Sequence, residues 1–169
     1  QRDLPFGLGA GFRRVGTCGG GSGLPVAGGR GPVELALNRA ARQMFGTDAR
    51  ITTVVGYRAE AIVDAFPDVD YVHNDRYDQT NTSKSLLRAL TATGKGGVLW
   101  MNGDVVFDPR VLGRAIEFIE NDRSFVTVNT AKVSDEEVKY TLDEAGFVKE
   151  LSKTVTGGIG EAVGINYIS

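Results

Sequence analysis

The chain has 169 residues, of which 41% are hydrophobic and 24% are charged, which is typical of a globular domain with its own core. Its formal net charge is −2 and no Lys/Arg cluster stands out, which argues against a nucleic-acid-binding or membrane-surface protein. No apolar run approaches the roughly 20 residues of a membrane span, no segment reads as a signal peptide, and the single Cys18 excludes an internal disulfide and a thiolate metal cluster. We therefore expect a cytoplasmic protein.

Two zones of different composition divide the chain. Residues 1–31 are rich in Gly and Arg, and their apolar residues follow no clear period. We expect this N-terminal segment to be irregular and loop-like, with a possible nucleotide loop inside it. From Pro32 onward the hydrophobic pattern becomes regular, so residues 32–169 are predicted to form one domain.

Helical and strand patterns alternate along this domain. Helices are predicted over residues 33–45, 59–66, 83–92 and 109–119, strands over 51–55, 69–73, 98–101, 125–128 and 162–168, and a hairpin over 138–151. Ser83 is predicted to cap the third helix and Asp108 the fourth. The alternation predicts an α/β fold with a mixed, mostly parallel, Rossmann-like sheet flanked by helices.

The most informative stretch is the apolar strand that leads into Asn102-Gly103-Asp104. Gly103 permits a tight turn, and Asp104 then follows the carboxyl end of the strand. Ligands of open α/β sheets bind at that edge, where a carboxylate can hold a divalent cation against a phosphate. The alternative is that Asp104 caps the next helix, but Asp108 is better placed for that cap.

A long polar segment, residues 74–86, is the second candidate. It is longer than a plain connection requires, and it brings Asn81, Ser83 and Lys84 to a helix N-terminus, where free N–H groups favour anions. The alternative is a solvated loop that ends in a Ser cap. The segment therefore predicts an anion-binding loop only in combination with other residues.

Two further sets of residues are candidates for ligand contacts. Gly9, Gly11 and Arg13 form a Gly-x-Gly-x-Arg sequence that could cradle phosphates, although a flexible Gly-rich terminus explains it as well. Lys149 could meet a phosphorylated substrate and Glu161 an amine or hydroxyl group. The alternative for this pair is that both are solvated charges at strand ends.

Taken together, these motifs resemble the sugar-phosphate nucleotidyltransferase superfamily, and most closely its phosphocholine cytidylyltransferase-like branch. The residues that carry the resemblance are Val55-Gly56-Tyr57, Thr80 to Leu86, Asn102 to Asp108 and Gly160 to Ile165. The resemblance covers roughly residues 32–169 and implies a nucleotidyltransferase or glycosyltransferase-A type of fold. It implies Mg²⁺-dependent transfer of a nucleotidyl group, CMP by preference, from an NTP such as CTP to a phosphorylated small molecule. Phosphocholine, a phosphonate and a sugar phosphate all remain possible acceptors, and pyrophosphate is released.

The resemblance also implies roles for individual residues. It makes Asp104 the Mg²⁺ ligand and, with Arg13, a catalytic residue. The nucleotide or acceptor pocket would be lined by Gly9, Gly11, Asn81, Ser83, Lys84, Asn102 and Gly103, and the acceptor would meet Lys149 and Glu161.

The chain departs from the family pattern in three places. The glycine loop follows Phe6-Gly7-Leu8 rather than a clean apolar strand, and Gly21 and Gly23 stand where the family has a phosphate-binding Lys. The family's C-terminal helices and second metal-binding Asp are absent, so we expect a domain truncated at its C-terminus. An alternative is a truncated or degenerate relative that binds nucleotide without catalysis. A dinucleotide-binding oxidoreductase would rest on the Gly-rich start alone, which lacks the required strand and helix context.

Overall fold

The computed structural model describes residues 14–18, 39, 41–46, 49–130 and 137–169, which form an eight-stranded sheet flanked by helices. The strands are β1 (Arg14–Cys18), β2 (Arg50–Val55), β3 (Asp70–His73), β4 (Val98–Asn102), β5 (Phe125–Asn129), β6 (Lys139–Leu142), β7 (Val148–Ser152) and β8 (Glu161–Ile168). The helices are α1 (Ala59–Ala65), α2 (Thr82–Thr93) and α3 (Arg110–Glu120), and residues 41–45 are also helical.

The sheet joins a parallel half to an antiparallel half. Its strand order is β3-β2-β1-β4-β8-β6-β7, and β5 pairs with β8. The pairs β1–β2, β1–β4 and β2–β3 are parallel, whereas β8 runs antiparallel to β4, β5 and β6. The predicted α/β class and mixed sheet are confirmed. Fewer strand pairs are parallel than predicted. β8 runs antiparallel to β4, and β6 and β7 are antiparallel because a tight turn joins them.

Strand β1 corrects the expectation for the N-terminal segment. It pairs with β2 on one side and with β4 on the other, so it lies in the middle of the parallel half. The expectation that all of residues 1–31 are irregular is therefore wrong for residues 14–18. Their sequence, with Gly16 at its centre, has weak strand propensity, and the strand depends on pairing with two neighbours that are distant in sequence. The other residues of that segment lie outside the described residues.

The hydrophobic core lies on both faces of the sheet. Successive strand residues point to opposite faces, so Ile51 and Val54 of β2 belong to different clusters. Ile51 packs with the helical residues 41–45 and with α3, in a cluster that includes the fully buried Leu99 and Met101 of β4. Val54 packs against Ala89 of α2. The sheet is therefore covered by helices on both faces, which leaves its edges for ligands.

Most predicted elements are confirmed, with ends that differ by one or two residues. The hairpin turn contains Gly146 at φ +84°, and the Asp143 carboxylate accepts the backbone N–H groups of Ala145 and Phe147, each at 2.9 Å. The predicted Ser83 cap is wrong, because α2 already begins at Thr82 and its cap is Asn81. Of the helix predicted over 33–45, the described part ends before Gly46, as expected. In the described part of the chain, no helix has the length and apolarity needed to cross a membrane.

Candidate functional site

The topology of the parallel half predicts where a ligand binds. From β1 the chain adds β2 and β3 on one side and then places β4 on the other side of β1. Open α/β sheets bind ligands at the carboxyl ends of the strands where the order switches in this way. The β1–β4 register aligns Cys18 with Asn102, so both strands end together at this crevice. Ligand-binding residues are therefore expected directly after β1 and β4.

Asp104 lies at the predicted strand end. β4 ends at Asn102, Gly103 and Asp104 form a turn, and the Val105 N–H donates to the Asn102 carbonyl oxygen at 3.4 Å. Asp104 is exposed, and it has no hydrogen-bond or ion-pair partner among the described residues. The carboxylate is thus available to a ligand rather than committed to the fold.

The donor set at this edge fits Mg²⁺ shared with a substrate. Mg²⁺ is commonly held by one or two carboxylates together with substrate phosphates and waters. Within the described ranges, no three His, Cys, Asp or Glu side chains converge on one point, so these residues do not form a cage made of protein ligands alone. A single exposed carboxylate, Asp104, suits the shared arrangement.

Asp108, and not Asp104, binds the backbone at the start of α3. The Asp108 carboxylate accepts the backbone N–H of Arg110 at 2.9 Å, at the first residue of α3. It also pairs with the Arg110 guanidinium, and these hydrogen bonds hold the pKa of the Asp108 carboxyl below its usual value. Asp108 therefore satisfies an N–H group at the start of α3. The predicted cap is wrong by one residue, because the helix begins at Arg110 and Pro109 is its cap.

Asn102 combines a buried acceptor with a close backbone contact. Its Oδ1 is buried and has no hydrogen-bond partner in the part of the chain that the structure describes. The side chain lies against Gly164 of β8, where an added Cβ would be 2.5 Å from Asn102 Nδ2. Gly164 also has φ +76°, a conformation that suits glycine. Gly164 was not singled out from the sequence, although an isolated glycine within a strand pattern is a known sign of a close backbone approach.

Asn74 organises the loop after β3. It is only 1% exposed, and its Nδ2 donates to Thr80 Oγ1 at 2.9 Å and to Ser85 Oγ at 3.0 Å. Its Oδ1 accepts the Arg76 N–H at 3.2 Å. The polar segment predicted as a candidate site is therefore an ordered loop, which side-chain hydrogen bonds attach to α2. This role of Asn74 is not predicted from the sequence.

Tyr77 attaches the same loop to the end of β2. An added Cβ at Gly56 would lie 2.6 Å from the Cβ of Tyr77, so the tyrosine packs directly on this glycine. The rings of Tyr57 and Tyr77 are 6.2 Å apart. The loop after β3 thus covers the neighbouring strand end and forms one wall of the carboxyl edge.

The three predicted residues at the start of α2 are brought together. Asn81 Oδ1 accepts the Lys84 N–H at 3.3 Å and the Ser83 hydroxyl at 2.7 Å, which identifies Asn81 as the cap in place of Ser83. The first turn carries no acidic residue, and Lys84 is exposed there. A cation at a helix N-terminus opposes the helix dipole, so Lys84 gains little from the helix and is suited to an incoming anion.

Glu161 lies near this edge, whereas Lys149 does not. Because β8 is antiparallel to β4, β8 begins at the edge where β4 ends. Glu161 is the first residue of β8, and its Oε1 accepts a hydrogen bond from Asn129 Nδ2 at 3.1 Å. Lys149 lies on β7, which is separated from β4 by β8 and β6 in the strand order. Gly9, Gly11 and Arg13 lie outside the described residues.

A groove of about 580 Å³ lies between α3 and β5. Its walls include Val111, Ala115, Phe118 and Phe125. None of the predicted site residues that the structure describes lines it. The groove therefore does not correspond to the site at the ends of β1 and β4.

Comparison with solved structures identifies the fold. The inositol-1-phosphate CTP transferase from T. maritima superposes with a TM-score of 0.68 at 16% identity, over 94% of this chain and 71% of that one. The chain has the nucleotidyltransferase fold. CMP:2-keto-3-deoxy-manno-octonic acid synthetase complexed with CTP gives a TM-score of 0.66 at 16% identity, over 94% and 74% of the two chains. A protein from Bacillus anthracis described as a glucose-1-phosphate thymidylyltransferase gives 0.69 at 15% identity, over 92% and 71%. No protein-family model and no curated protein sequence matches this chain.

Proposed function

We propose that this nucleotidyltransferase-fold domain transfers a nucleotidyl group from an NTP to a phosphorylated small molecule and releases pyrophosphate. The observation that supports it is Asp104, an exposed carboxylate without a partner among the described residues, next to the switch point of the sheet. The named activities of the three structural neighbours are nucleotide transfers or syntheses of nucleotide-linked sugars. Nucleotide ligands of this kind carry phosphates, which Asp104 is suited to hold through Mg²⁺.

The proposed reaction is an in-line displacement at the α-phosphorus. An oxygen of the acceptor phosphate forms a bond to the α-phosphorus, and the bond from that phosphorus to the pyrophosphate oxygen breaks. Mg²⁺, when bound, neutralises negative charge on the phosphates. The protein contributes mainly positioning and electrostatic stabilisation in such a transfer. Lys84 would attract phosphate oxygens at the start of α2, and Arg13 would do so from the glycine loop that the family resemblance implies.

Glu161 is proposed to contact the acceptor. Its hydrogen bond from Asn129 leaves further lone pairs on the carboxylate, which could accept a hydrogen bond from a hydroxyl group or pair with an ammonium group of the acceptor. Lys149 is proposed to contact the acceptor phosphate only if the acceptor extends towards the hairpin, since β8 and β6 separate β7 from β4.

We propose CTP as the preferred nucleotide and a phosphorylated small molecule, without a single named compound, as the acceptor. Two of the neighbours are named for CTP and one for a thymidylyl group, so the neighbours favour CTP without being uniform. The family resemblance adds phosphocholine and phosphonates to the sugar phosphates as acceptors. We propose a cytoplasmic reaction, in keeping with the sequence.

The second candidate function is nucleotide binding without turnover. The observation that favours it is the presence of Gly21 and Gly23 where the family has a phosphate-binding Lys. In addition, no group of three metal-ligating side chains occurs among the described residues. Both functions predict Mg²⁺-dependent NTP binding, and only the first predicts release of pyrophosphate.

Two measurements on the purified chain test these proposals. Calorimetry with each NTP, in Mg²⁺ and in EDTA, should show Mg²⁺-dependent binding that is tightest for CTP. A pyrophosphate-release assay with phosphocholine, a phosphonate and sugar phosphates should then show turnover with one acceptor class. Binding without turnover across the panel selects the second function, and absence of NTP binding contradicts both.

The variant Asp104→Ala tests the residue on which the proposal rests. It should lose the Mg²⁺-dependent part of the NTP affinity, whereas Asp64→Ala, at an exposed position on α1, should bind as the wild type does. Both positions are exposed, so neither change should disturb the fold. Retention of Mg²⁺-dependent affinity in Asp104→Ala would show that the metal assignment is wrong.

A further inference from the structure

Two asparagine side chains on adjacent strands carry buried carbonyl oxygens that have no hydrogen-bond partner among the described residues. They are Asn102 Oδ1 on β4 and Asn166 Oδ1 on β8. The β4–β8 register places Asn166 opposite Trp100, two residues before Asn102, so both asparagines belong to the same face of the sheet. A buried acceptor that loses its hydrogen bond to water on folding and gains no other destabilises the folded state. Each of these oxygens therefore requires an explanation.

Their positions in the sheet differ. Asn166 is flanked by paired strands on both sides, by Trp100 on β4 and by Val126 on β5. Asn102 is the last residue of β4 and is aligned with Cys18, the last residue of β1. Asn102 is therefore placed at the strand ends that border the switch point, whereas Asn166 lies within the sheet.

Gly164 makes room for the Asn102 side chain. A Cβ at this position would be 2.5 Å from Asn102 Nδ2 and 2.9 Å from its Cγ, which is closer than real Cβ contacts. Glycine in the interior of a strand is itself unfavourable. Two features that weaken the fold, the unpaired acceptor and the strand glycine, thus coincide at the Asn102 amide.

We infer that Asn102 Oδ1 accepts a hydrogen bond from a hydroxyl group of the bound substrate, which makes Asn102 a determinant of substrate specificity. The inference rests on the proposed function and adds a contact to the same site. An amide carbonyl oxygen has lone pairs and no proton, so its partner must be a donor, and ionised phosphate oxygens are excluded. Asn102 lies two residues before Asp104, which is proposed to meet the phosphates through Mg²⁺. Hydroxyl groups are the donors nearest to the phosphates in an NTP and in a sugar or polyol phosphate acceptor.

This hydroxyl group has two possible sources, the ribose of the nucleotide and a sugar or polyol phosphate acceptor. If it is the ribose, wild type should bind 2′-deoxy-CTP or 3′-deoxy-CTP about tenfold more weakly than CTP, the loss of one hydrogen bond. If it is the acceptor, wild type should bind inositol 1-phosphate through a contact that phosphocholine, which has no hydroxyl group, cannot make.

The test compares Asn102→Leu with the matched control Asn166→Leu. Each variant replaces an asparagine that has an unpaired acceptor by an apolar side chain of similar size. Neither variant should therefore lower the melting temperature. Only Asn102→Leu should weaken binding of CTP or of inositol 1-phosphate, by about tenfold in titration calorimetry with Mg²⁺. For a ribose contact, Asn102→Leu should also bind CTP and the affected deoxy analogue equally well. Asn102→Ala, which cannot overpack against Gly164, provides the same readout if the leucine variant does not fold.

Three outcomes separate this inference from the proposed function. Loss of affinity for either ligand in the Asn102 variants, with Asn166→Leu unchanged, supports the inference and identifies the source of the hydroxyl group. Wild-type affinity for both CTP and inositol 1-phosphate in Asn102→Leu and Asn102→Ala overturns the inference and leaves the proposed function intact. Absence of NTP binding by the wild type contradicts the proposed function and this inference with it.

Discussion

An asparagine stands at the carboxyl end of β3 and of β4: Asn74 directly follows β3, and Asn102 is the last residue of β4. The two asparagines differ in their hydrogen bonds. The side chain of Asn74 is almost fully buried and makes three hydrogen bonds, to Thr80, Ser85 and Arg76. Asn102 also lies at the carboxyl edge, yet its Oδ1 has no hydrogen-bond partner within the described ranges. The same residue type at similar strand ends therefore builds the scaffold in one loop and remains available to a ligand in the other.

The surroundings of the two asparagines strengthen this contrast. The loop after β3 is further held by Tyr77 on Gly56 and by an ion pair of 2.8 Å between Asp75 and Arg88 of α2. The loop after β4 has one long backbone hydrogen bond at its turn, from the Val105 N–H. A fixed wall beside an open strand end is an arrangement that can hold a ligand without reorganising, which lowers the cost of binding.

The strongest test of the contrast is Asn74→Ala. Removing this side chain leaves the buried Ser85 hydroxyl without its donor and opens space under the loop. We expect a loss of roughly 2–3 kcal/mol in the free energy of unfolding, the usual cost of breaking a buried hydrogen-bond network. Urea denaturation measures it, with the exposed Asn121→Ala as a control that should lose about 1 kcal/mol or less. A loss below that of the control would show that Asn74 is not a scaffold residue.

The next largest effect is expected for Gly56→Ala. The new Cβ would approach the Tyr77 Cβ to about 2.6 Å, so the loop after β3 must move away from β2. Overpacking of this kind typically costs about 1–3 kcal/mol. Gly113→Ala in α3 is the matched control, since nothing lies within 4 Å of its Cβ and alanine favours the helix by up to about 1 kcal/mol. Melting temperatures that change in the same direction in both variants would contradict the close packing of Tyr77.

The sequence predicts the elements of this edge better than the contacts between them. β2 and the β6–β7 hairpin were recognisable from local patterns, the β-branched run at residues 51–55 and the glycine turn. Asp104 could be placed because its strand pattern ends just before it. β1 could not, because its five residues are ordered by two neighbouring strands. The Asn74 hydrogen bonds and the fit of Asn102 on Gly164 depend on side-chain geometry between separate elements, which no local pattern encodes.

A satisfied polar group at the opposite edge provides a reference for both asparagines. The Tyr167 hydroxyl donates to Asp122 Oδ1 at 2.7 Å, and burial, with this carboxylate, raises the pKa of Tyr167 above its ordinary 10.0. Tyr167→Phe should cost about 1 kcal/mol, the value of a typical hydrogen bond, and should leave ligand affinity unchanged.

The raised pKa of Tyr167 also predicts a pH dependence. The folded state favours the neutral phenol, so this stabilisation is fully present below pH 10 and is lost as the pH rises through the raised folded value. Unfolding free energy measured at increasing pH above 10 should fall less steeply in Tyr167→Phe than in the wild type. Parallel curves would contradict the shift.

The smallest effect is expected one residue from the largest. Asp75 follows Asn74, but its ion pair with Arg88 is well exposed, with side chains 68% and 39% accessible. Such pairs contribute about 0–1 kcal/mol because water and salt screen them. Arg88→Gln should therefore change the unfolding free energy no more than Arg50→Gln, which removes the similarly exposed pair with Asp70 on β2 and β3. If Arg88→Gln instead destabilised the chain as strongly as Asn74→Ala, the loop would be held by charge rather than by buried hydrogen bonds. Its stability would then fall with added salt, which denaturation at low and high salt measures directly.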